Sequence, residues 1–284
     1  SDKLNLKSNE ASLKYFLQGS FSTGLMLMGI AFIYGDKGSF LTSVIAPLNG
    51  LPSALLLAGM LLLLFSMAFK ASVAPFHFWT PDVYDGAPTV FTSFMATIVK
   101  AAVFVAFIRL FDEAFGNLHH KWKLTIALIT VATLFIGNIT AVFQQSVKRM
   151  LAFSSISQAG FMLLAIYSMN TDGKEGLLLY VLAYSLATIG LFAVLAKMSD
   201  YSYDGFNGLA RQQPFLALLI TIFVLSLSGI PLTAGFLSKF LMLKATLAAG
   251  GSLWLVIVAV VMAVISISYY CRILQAMYFK NAEK

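Results

Sequence analysis

Runs of about 20 apolar residues, separated by short polar or turn-forming stretches, recur along the whole chain. About 20 helical residues cross the hydrocarbon core of a bilayer, and the chain divides into eight runs of this kind. The predicted spans are 13–34, 52–79, 89–111, 122–143, 150–169, 176–198, 214–249 and 253–279. We therefore predict an all-α polytopic membrane protein with about eight transmembrane helices.

Two of these spans, 52–79 and 214–249, are long and contain a proline, Pro75 and Pro231 respectively. Proline lacks a backbone N–H and clashes with the preceding helical turn, so we expect both helices to be broken near these residues. The two spans lie five apart in the chain. Because five is odd, they enter the membrane from opposite sides, which is the arrangement of an inverted repeat.

Composition supports a membrane location. The 284 residues are 59% hydrophobic and 11% charged, with a mean hydropathy of +0.85, whereas soluble domains have about 45–50% apolar and about 25% charged residues. The net charge of +7 comes from residues that form no stripe and lie mostly between the apolar runs, so no nucleic-acid partner is expected. The single cysteine, Cys271, excludes an intrachain disulfide and a cysteine-based metal cluster.

The basic residues between the spans predict an orientation. Ten lie on the side of the N-terminus: Lys3, Lys7, Lys14, Lys148, Arg149, Lys197, Arg211, Arg272, Lys280 and Lys284. Five lie on the other side: Lys37, Arg109, Lys121, Lys123 and Lys174. Since cytoplasmic loops carry the excess of lysine and arginine, we expect both ends of this segment to lie in the cytoplasm.

Three lysines, Lys70, Lys100 and Lys239, lie within or beside apolar runs with no acidic residue nearby in sequence. A lysine at the centre of a span costs about 2.5–3.5 kcal/mol on insertion scales, and such residues usually mark ion or proton pathways. Lys70 lies near the end of its run, where it can also reach the membrane surface. Lys100 lies in the middle of its run, where reaching the surface is difficult.

His77 lies two residues after Pro75. A histidine titrates near neutral pH and passes protons through either ring nitrogen; the alternative is that His77 caps backbone groups freed by the break. Lys14 follows Glu10 at the spacing of a helical ion pair, with a minor relay role as the alternative. Asp82 and Asp85 are predicted to cap helix ends.

A polar strip interrupts the fifth span and consists of Ser154, Ser155, Ser157 and Gln158. Such a strip either holds water or forms hydrogen bonds between helices. By contrast, His119 and His120 stand beside Lys121 and Lys123, and we predict that they lie in a solvated loop.

The segment 69–88 contains Trp79-Thr80-Pro81-Asp82-Val83-Tyr84 followed by Gly86-Ala87-Pro88. It resembles the signature of the antiporter-like subunits of respiratory complex I, in the form found in the subunit N branch of that family. The subunit M and L branches continue with Leu-Pro-Asp-Ala instead. Further similar segments, in the family's order, are 10–16, 148–157 and 229–240.

The resemblance implies a fold of fourteen spans in two inverted five-helix repeats, each with one broken helix. This chain then corresponds to spans six to thirteen, and we take it as a piece of a larger subunit. It would form a single membrane domain over 1–284, with 13–111 from the first repeat and 122–279 as the second. The fifth-span glutamate, which partners the seventh-span lysine in the family, would lie outside the chain.

The resemblance also implies a function, which is proton translocation coupled to quinone reduction elsewhere in a bacterial inner-membrane complex. Lys70 and Lys239 match the lysines of the two broken helices, and Lys100 matches the central relay lysine. The sequence has no phosphate loop or dinucleotide fingerprint, so we expect NADH, FMN, iron–sulfur clusters and quinone to bind partner subunits. The expected partners are other complex I membrane subunits, especially neighbouring antiporter-like ones.

Two other functions stay open from the sequence. A subunit of a multi-subunit cation/proton antiporter or of a membrane-bound hydrogenase would share the fold and the lysines. A structural scaffold would retain the lysines without using them. The Val83-Tyr84 form of the signature favours the subunit N branch over the antiporter.

Overall fold

The computed structural model describes residues 5–46, 51–250 and 252–281. Lys3 and Lys284, which were counted among the basic residues on the side of the N-terminus, lie outside these ranges. The helices are α1 (Leu6–Lys37), α2 (Thr42–Ile45), α3 (Ala54–Lys70), α4 (Trp79–Gly86), α5 (Thr89–Phe94), α6 (Lys100–Phe115), α7 (His119–Val142), α8 (Val147–Ser168), α9 (Thr171–Leu195), α10 (Leu209–Gln212), α11 (Pro214–Ser228), α12 (Ala234–Ala248) and α13 (Leu253–Phe279).

Seven of the predicted spans coincide with one of these helices or with a consecutive pair, whereas 52–79 covers α3 and the interruption up to the first residue of α4. Among the described residues, five helical stretches are long and apolar enough to cross a bilayer, and one of them, Thr89–Val142, contains two of the predicted spans. The all-α polytopic fold is therefore confirmed. The helix ends differ from the prediction because capping side chains extend helices beyond the apolar core. Asn5 and Asn170, for example, accept hydrogen bonds from backbone N–H groups at the starts of α1 and α9.

Two spans are interrupted near their prolines. The helix α3 ends at Lys70 and α4 begins at Trp79, with Pro75 between them. Likewise, α11 ends at Ser228 and α12 begins at Ala234, with Pro231 between them. With 15 residues each, α11 and α12 are about 22 Å long at 1.5 Å per residue, shorter than the roughly 30 Å hydrocarbon core.

The helix α8 lies at the centre of the bundle. Every residue of α8 except Arg149 is buried, and α8 packs against α4, α7, α9 and α12. By contrast, α1 exposes most of its apolar residues. The serine-rich sequence of α8 accounts for this position, because polar side chains in a membrane protein turn toward neighbouring helices.

Close contact between α7 and α8 depends on a small residue. A Cβ atom at Gly137 would lie 2.6 Å from the backbone nitrogen of Ser157, which is closer than real Cβ contacts come. Small residues of this kind let the backbones of membrane helices approach each other. The approach holds the polar strip of α8 inside the bundle.

Candidate functional site

Lys100 is fully buried and is held by α8. Its Nζ atom donates a hydrogen bond of 2.7 Å to the Ser155 carbonyl and one of 2.5 Å to the Ser155 Oγ atom. No carboxylate of the described residues lies within ion-pair distance of Lys100. The ammonium group therefore has polar but uncharged partners.

A π-helical turn over Met95–Val99 precedes Lys100. Such a turn inserts one extra residue and changes which side chains face inward, and it is frequent at functional sites. After it, Lys100, Phe104, Phe107 and Phe111 are all buried. Their spacing of four, three and four residues is that of one helical face, so the register set after the π turn directs Lys100 into the bundle.

Lys239 is also buried, and it uses the second helix break. Its Nζ atom donates a 2.7 Å hydrogen bond to the carbonyl of Leu227. In a continuous helix this carbonyl would accept from the backbone N–H of residue 231, but residue 231 is a proline and has none. Pro231 thus leaves a free acceptor within the bundle, and Lys239 binds to it.

The surroundings of Lys239 are aromatic. Its Nζ atom lies 4.4 Å from the ring centroid of Phe161 and 5.8 Å from that of Tyr180, distances at which a cation is attracted to a ring face. Gly229 has a φ of +79°, and a Cβ atom there would lie 3.1 Å from the Cδ atom of Lys239. Glycine suits this position because it tolerates positive φ and leaves room for the lysine stem.

The polar strip of α8 connects neighbouring helices. Ser155 and the Tyr184 hydroxyl of α9 lie 2.9 Å apart. Gln158 donates to the Leu227 carbonyl at 3.1 Å and to the Tyr270 hydroxyl at 3.0 Å, and it accepts a hydrogen bond from Tyr180. The structure thus gives the strip interhelical hydrogen bonds, which was one of the two alternatives. Ser157 differs, since its hydroxyl has no hydrogen-bond partner among the described residues.

The structure brings Lys100 and Lys239 to the same helix. Ser155, which binds Lys100, and Gln158, which shares the Leu227 carbonyl with Lys239, are three residues apart on α8. Residues at this spacing are neighbours on a helix face. Among the described residues, the two lysines are therefore connected through Ser155, Gln158 and the tyrosines that bond to them.

Lys70 and His77 are not joined to this network by a direct hydrogen bond. Half-buried at the end of α3, Lys70 lines a cavity of about 510 Å³ together with Tyr15, Trp79 and Tyr84. His77 is buried, and its Nδ1 atom has no hydrogen-bond partner in the part of the chain that the structure describes. Tyr84 belongs to α4, which packs against α8, so the Lys70 cavity borders the helix that holds Lys100. A single band through all four residues stays a prediction.

Lys14 belongs to a cluster of charges on the N-terminal side of the bundle. It forms ion pairs with Glu10 at 2.6 Å and with Asp82 at 2.8 Å. Arg149, at the start of α8, lies 3.2 Å from Asp82 and 3.8 Å from Asp85. The prediction that both aspartates cap helix ends is wrong, because both lie inside α4 and pair with basic residues of α1 and α8.

The prediction of a loop at residues 119 and 120 is wrong, since both lie in α7; His120 is exposed to solvent as expected, but His119 is not. His119 begins α7, its Nε2 atom lies 3.0 Å from the Tyr167 carbonyl, and its ring packs against Trp122. The aromatic Trp122 and the free carbonyl at the end of α8 provide partners that the basic sequence context did not reveal.

Sequence reasoning missed the tyrosines of the site. Tyr180, Tyr184 and Tyr270 are buried and take part in the hydrogen bonds around α8. The sequence did contain a sign of this arrangement, because Tyr180 and Tyr184 are four residues apart and therefore lie on one face of a helix.

Within the described residues, no group of three His, Cys, Asp or Glu side chains could hold a metal ion.

These features define a class of protein, a multi-pass helical membrane protein with two interrupted spans and buried lysines that meet a central polar helix. Residues 2–266 match the family described as NADH:quinone oxidoreductase/Mrp antiporter, TM. The chain belongs to this family of membrane proteins.

Relatives and solved structures agree with this assignment. NADH-quinone oxidoreductase subunit N of Trichlorobacter lovleyi is 42% identical over 99% of this chain and 59% of its own length. The subunit N of Cytophaga hutchinsonii is 42% identical over 98% of this chain and 61% of its own. The chain spans about three fifths of the length of the curated relatives it matches.

Among solved structures, a chain of respiratory complex I from Thermus thermophilus with bound aureothin is 37% identical, with a TM-score of 0.87, covering 100% of this chain and 62% of that one. A chain of the Mrp complex from Dietzia sp. shares the fold, with a TM-score of 0.91 at 23% identity, over 98% of this chain and 52% of that one.

Proposed function

We propose that this chain is part of a proton-translocating membrane subunit of the subunit N type. The observation that supports this most strongly is that Lys100 and Lys239 are both buried, have uncharged hydrogen-bond partners, and meet the same polar helix. The names of the relatives in Trichlorobacter lovleyi and Cytophaga hutchinsonii point to the same subunit.

The chemistry of these partners suits proton transfer. A carboxylate beside a buried lysine stabilises the ammonium form, because opposite charges close together favour ionisation. Hydroxyl and carbonyl oxygens leave the charged and neutral forms of a lysine closer in free energy, and a buried lysine shifts readily between them. Lys100 and Lys239 are therefore suited to load and release a proton.

In this proposal protons pass between the two lysines along α8. Lys70, beside the first break, and His77, within it, serve the half formed by residues 13–111, and Lys239 serves the second repeat, 122–279. Pro75 and Pro231 supply the free backbone groups at the two breaks. Lys14 is assigned a minor relay role within the ion cluster of α1, α4 and α8.

The subunit would act within a bacterial inner-membrane NADH–quinone oxidoreductase. Its protein partners would be other membrane subunits of the complex, including neighbouring antiporter-like subunits. The surrounding lipid would contact its outer surface. NADH, FMN, iron–sulfur clusters and quinone would bind elsewhere in the complex. The fold shared with the Mrp complex makes cation/proton antiport the second candidate.

A vesicle experiment tests this function. The intact complex that contains the subunit is placed in sealed vesicles, and proton uptake is followed with a pH-sensitive dye. We expect NADH and quinone to drive uptake at the same rate with and without Na⁺. Proton flux that needs Na⁺ and proceeds without NADH would contradict the proposal and favour the antiporter. A complex that oxidises NADH normally but does not pump would also contradict it.

A further inference from the structure

The carbonyl of Leu227 is shared by two side-chain donors. Lys239 donates to it at 2.7 Å and Gln158 at 3.1 Å. The carbonyl is free because Pro231 provides no N–H at the position four residues later. Two donors that share one oxygen lie close together, so the Gln158 amide and the Lys239 ammonium are neighbours.

The orientation of the Gln158 amide follows from its partners. A backbone carbonyl only accepts hydrogen bonds, so the Gln158 Nε2 atom must be the one that faces Leu227. The same Nε2 donates to the Tyr270 hydroxyl, and the Oε1 atom accepts from the Tyr180 hydroxyl. The positive N–H end of the amide is thereby held next to the ammonium group of Lys239.

The groups around Lys239 that ionise are few. Tyr180 approaches from α9, and Tyr270 of α13 reaches it through Gln158. The helix α8 contributes Phe161 and Gln158, and α11 contributes the Leu227 carbonyl. Among the described residues, no carboxylate lies within ion-pair distance of Lys239. Gln158 is thus the polar side chain best placed to influence the lysine.

We propose that Gln158 is a positioning residue that competes with Lys239 for the Leu227 carbonyl and thereby makes Lys239 release its proton more readily. This inference rests on the proposed function and adds to it a residue outside the family lysines. Gln158 acts on Lys239 in two ways, and both favour the loss of its proton. Its N–H group takes up part of the acceptor capacity of the carbonyl, and the positive end of its dipole faces the ammonium. Both effects disfavour the charged form.

Two substitutions in the intact complex test the proposal. Gln158→Met keeps the length of the side chain but donates no hydrogen bond. Gln158→Glu keeps its shape and adds a carboxylate beside Lys239. In both variants Lys239 should keep its proton to higher pH, so the pH profile of NADH-driven pumping should move to higher pH by about one unit, the size expected when one hydrogen bond no longer competes for the Leu227 carbonyl. The Glu variant should move it further.

Thr130→Val is the matched control, because Thr130 is buried in α7 and, within the described ranges, its hydroxyl bonds only to the Ile126 carbonyl of its own helix. Its profile should be that of the wild type. If a Gln158 variant assembles and its profile keeps the wild-type position, whatever its rate, Gln158 has only a structural role. If Gln158→Met does not assemble, Gln158→Leu takes its place, because it also removes the N–H donor and adds no charge. A wild-type complex that does not pump would contradict the proposed function instead.

Discussion

Replacing Lys100 with arginine is expected to abolish most of the proton pumping that depends on this subunit, although the positive charge is kept. Arginine is not deprotonated in proteins, so it cannot hand a proton to the next group. Lys100 is bonded to Ser155 through both the carbonyl and the hydroxyl. We expect a loss of about a hundredfold in the pumping rate, the usual contribution of a positioned proton-transfer group.

The measurement is the rate of NADH-driven proton uptake by vesicles that contain the intact complex. Lys100→Ala should reduce the rate to a similar extent, because the alanine side chain carries no proton. Electron transfer is measured in parallel, and it should fall as well if it is coupled to pumping. Lys197→Arg is the control, since Lys197 is exposed just beyond the end of α9. Pumping at the wild-type rate and proton-to-electron ratio in Lys100→Arg would refute a titrating role for Lys100.

Replacing Lys239 with methionine is also expected to reduce the rate of proton pumping strongly. Methionine is close to lysine in length and fits an apolar site, but it carries no proton. The Leu227 carbonyl would keep the hydrogen bond from Gln158, so the second break should remain folded. We therefore expect a loss of pumping of about a hundredfold as well, with the subunit still assembled in the complex.

Lys244→Met is the matched control for this change. Lys244 lies on the same helix, α12, but its side chain is 57% exposed and pairs with Asp172 at 2.9 Å. Exposed ion pairs contribute about 0–1 kcal/mol to stability, so this variant should pump at the wild-type rate. Equal losses in the Lys239 and Lys244 variants would indicate a general defect of α12 rather than a role for Lys239.

The sequence predicted the spans well because their signal is local. An apolar run of sufficient length and a proline inside it are visible without knowledge of the neighbours, and the structure has helices or interrupted helices at all eight positions. The helix ends at the capping residues Asn5 and Asn170 were harder to predict, because a cap extends a helix into residues that are too polar to be recognised as part of a membrane span.

The partners of the polar residues could not be predicted in the same way. Asp82 was expected to cap a helix, but it pairs with Lys14 and Arg149, which are 68 and 67 residues away in sequence. Such contacts depend on how the helices pack. The position of the π turn before Lys100 is equally invisible, since π and α segments have similar composition.

The contacts of Gln158 likewise depend on how the helices pack. The sequence indicated a polar strip on the fifth span, but it left water binding and interhelical hydrogen bonding open. Only the structure shows that the amide reaches Tyr180 of α9, Leu227 of α11 and Tyr270 of α13. The free carbonyl at Leu227 was predictable in principle, because it lies four residues before Pro231.

We propose that Lys100 and Lys239 serve one proton path along α8. The most direct test is the number of protons pumped per electron in the Lys100→Arg variant, the Lys239→Met variant and the double variant, each in the intact complex. Two groups in series are both needed for every proton, so we expect the double variant to have the same ratio as either single variant. A double variant whose loss is the sum of two partial single losses would contradict it.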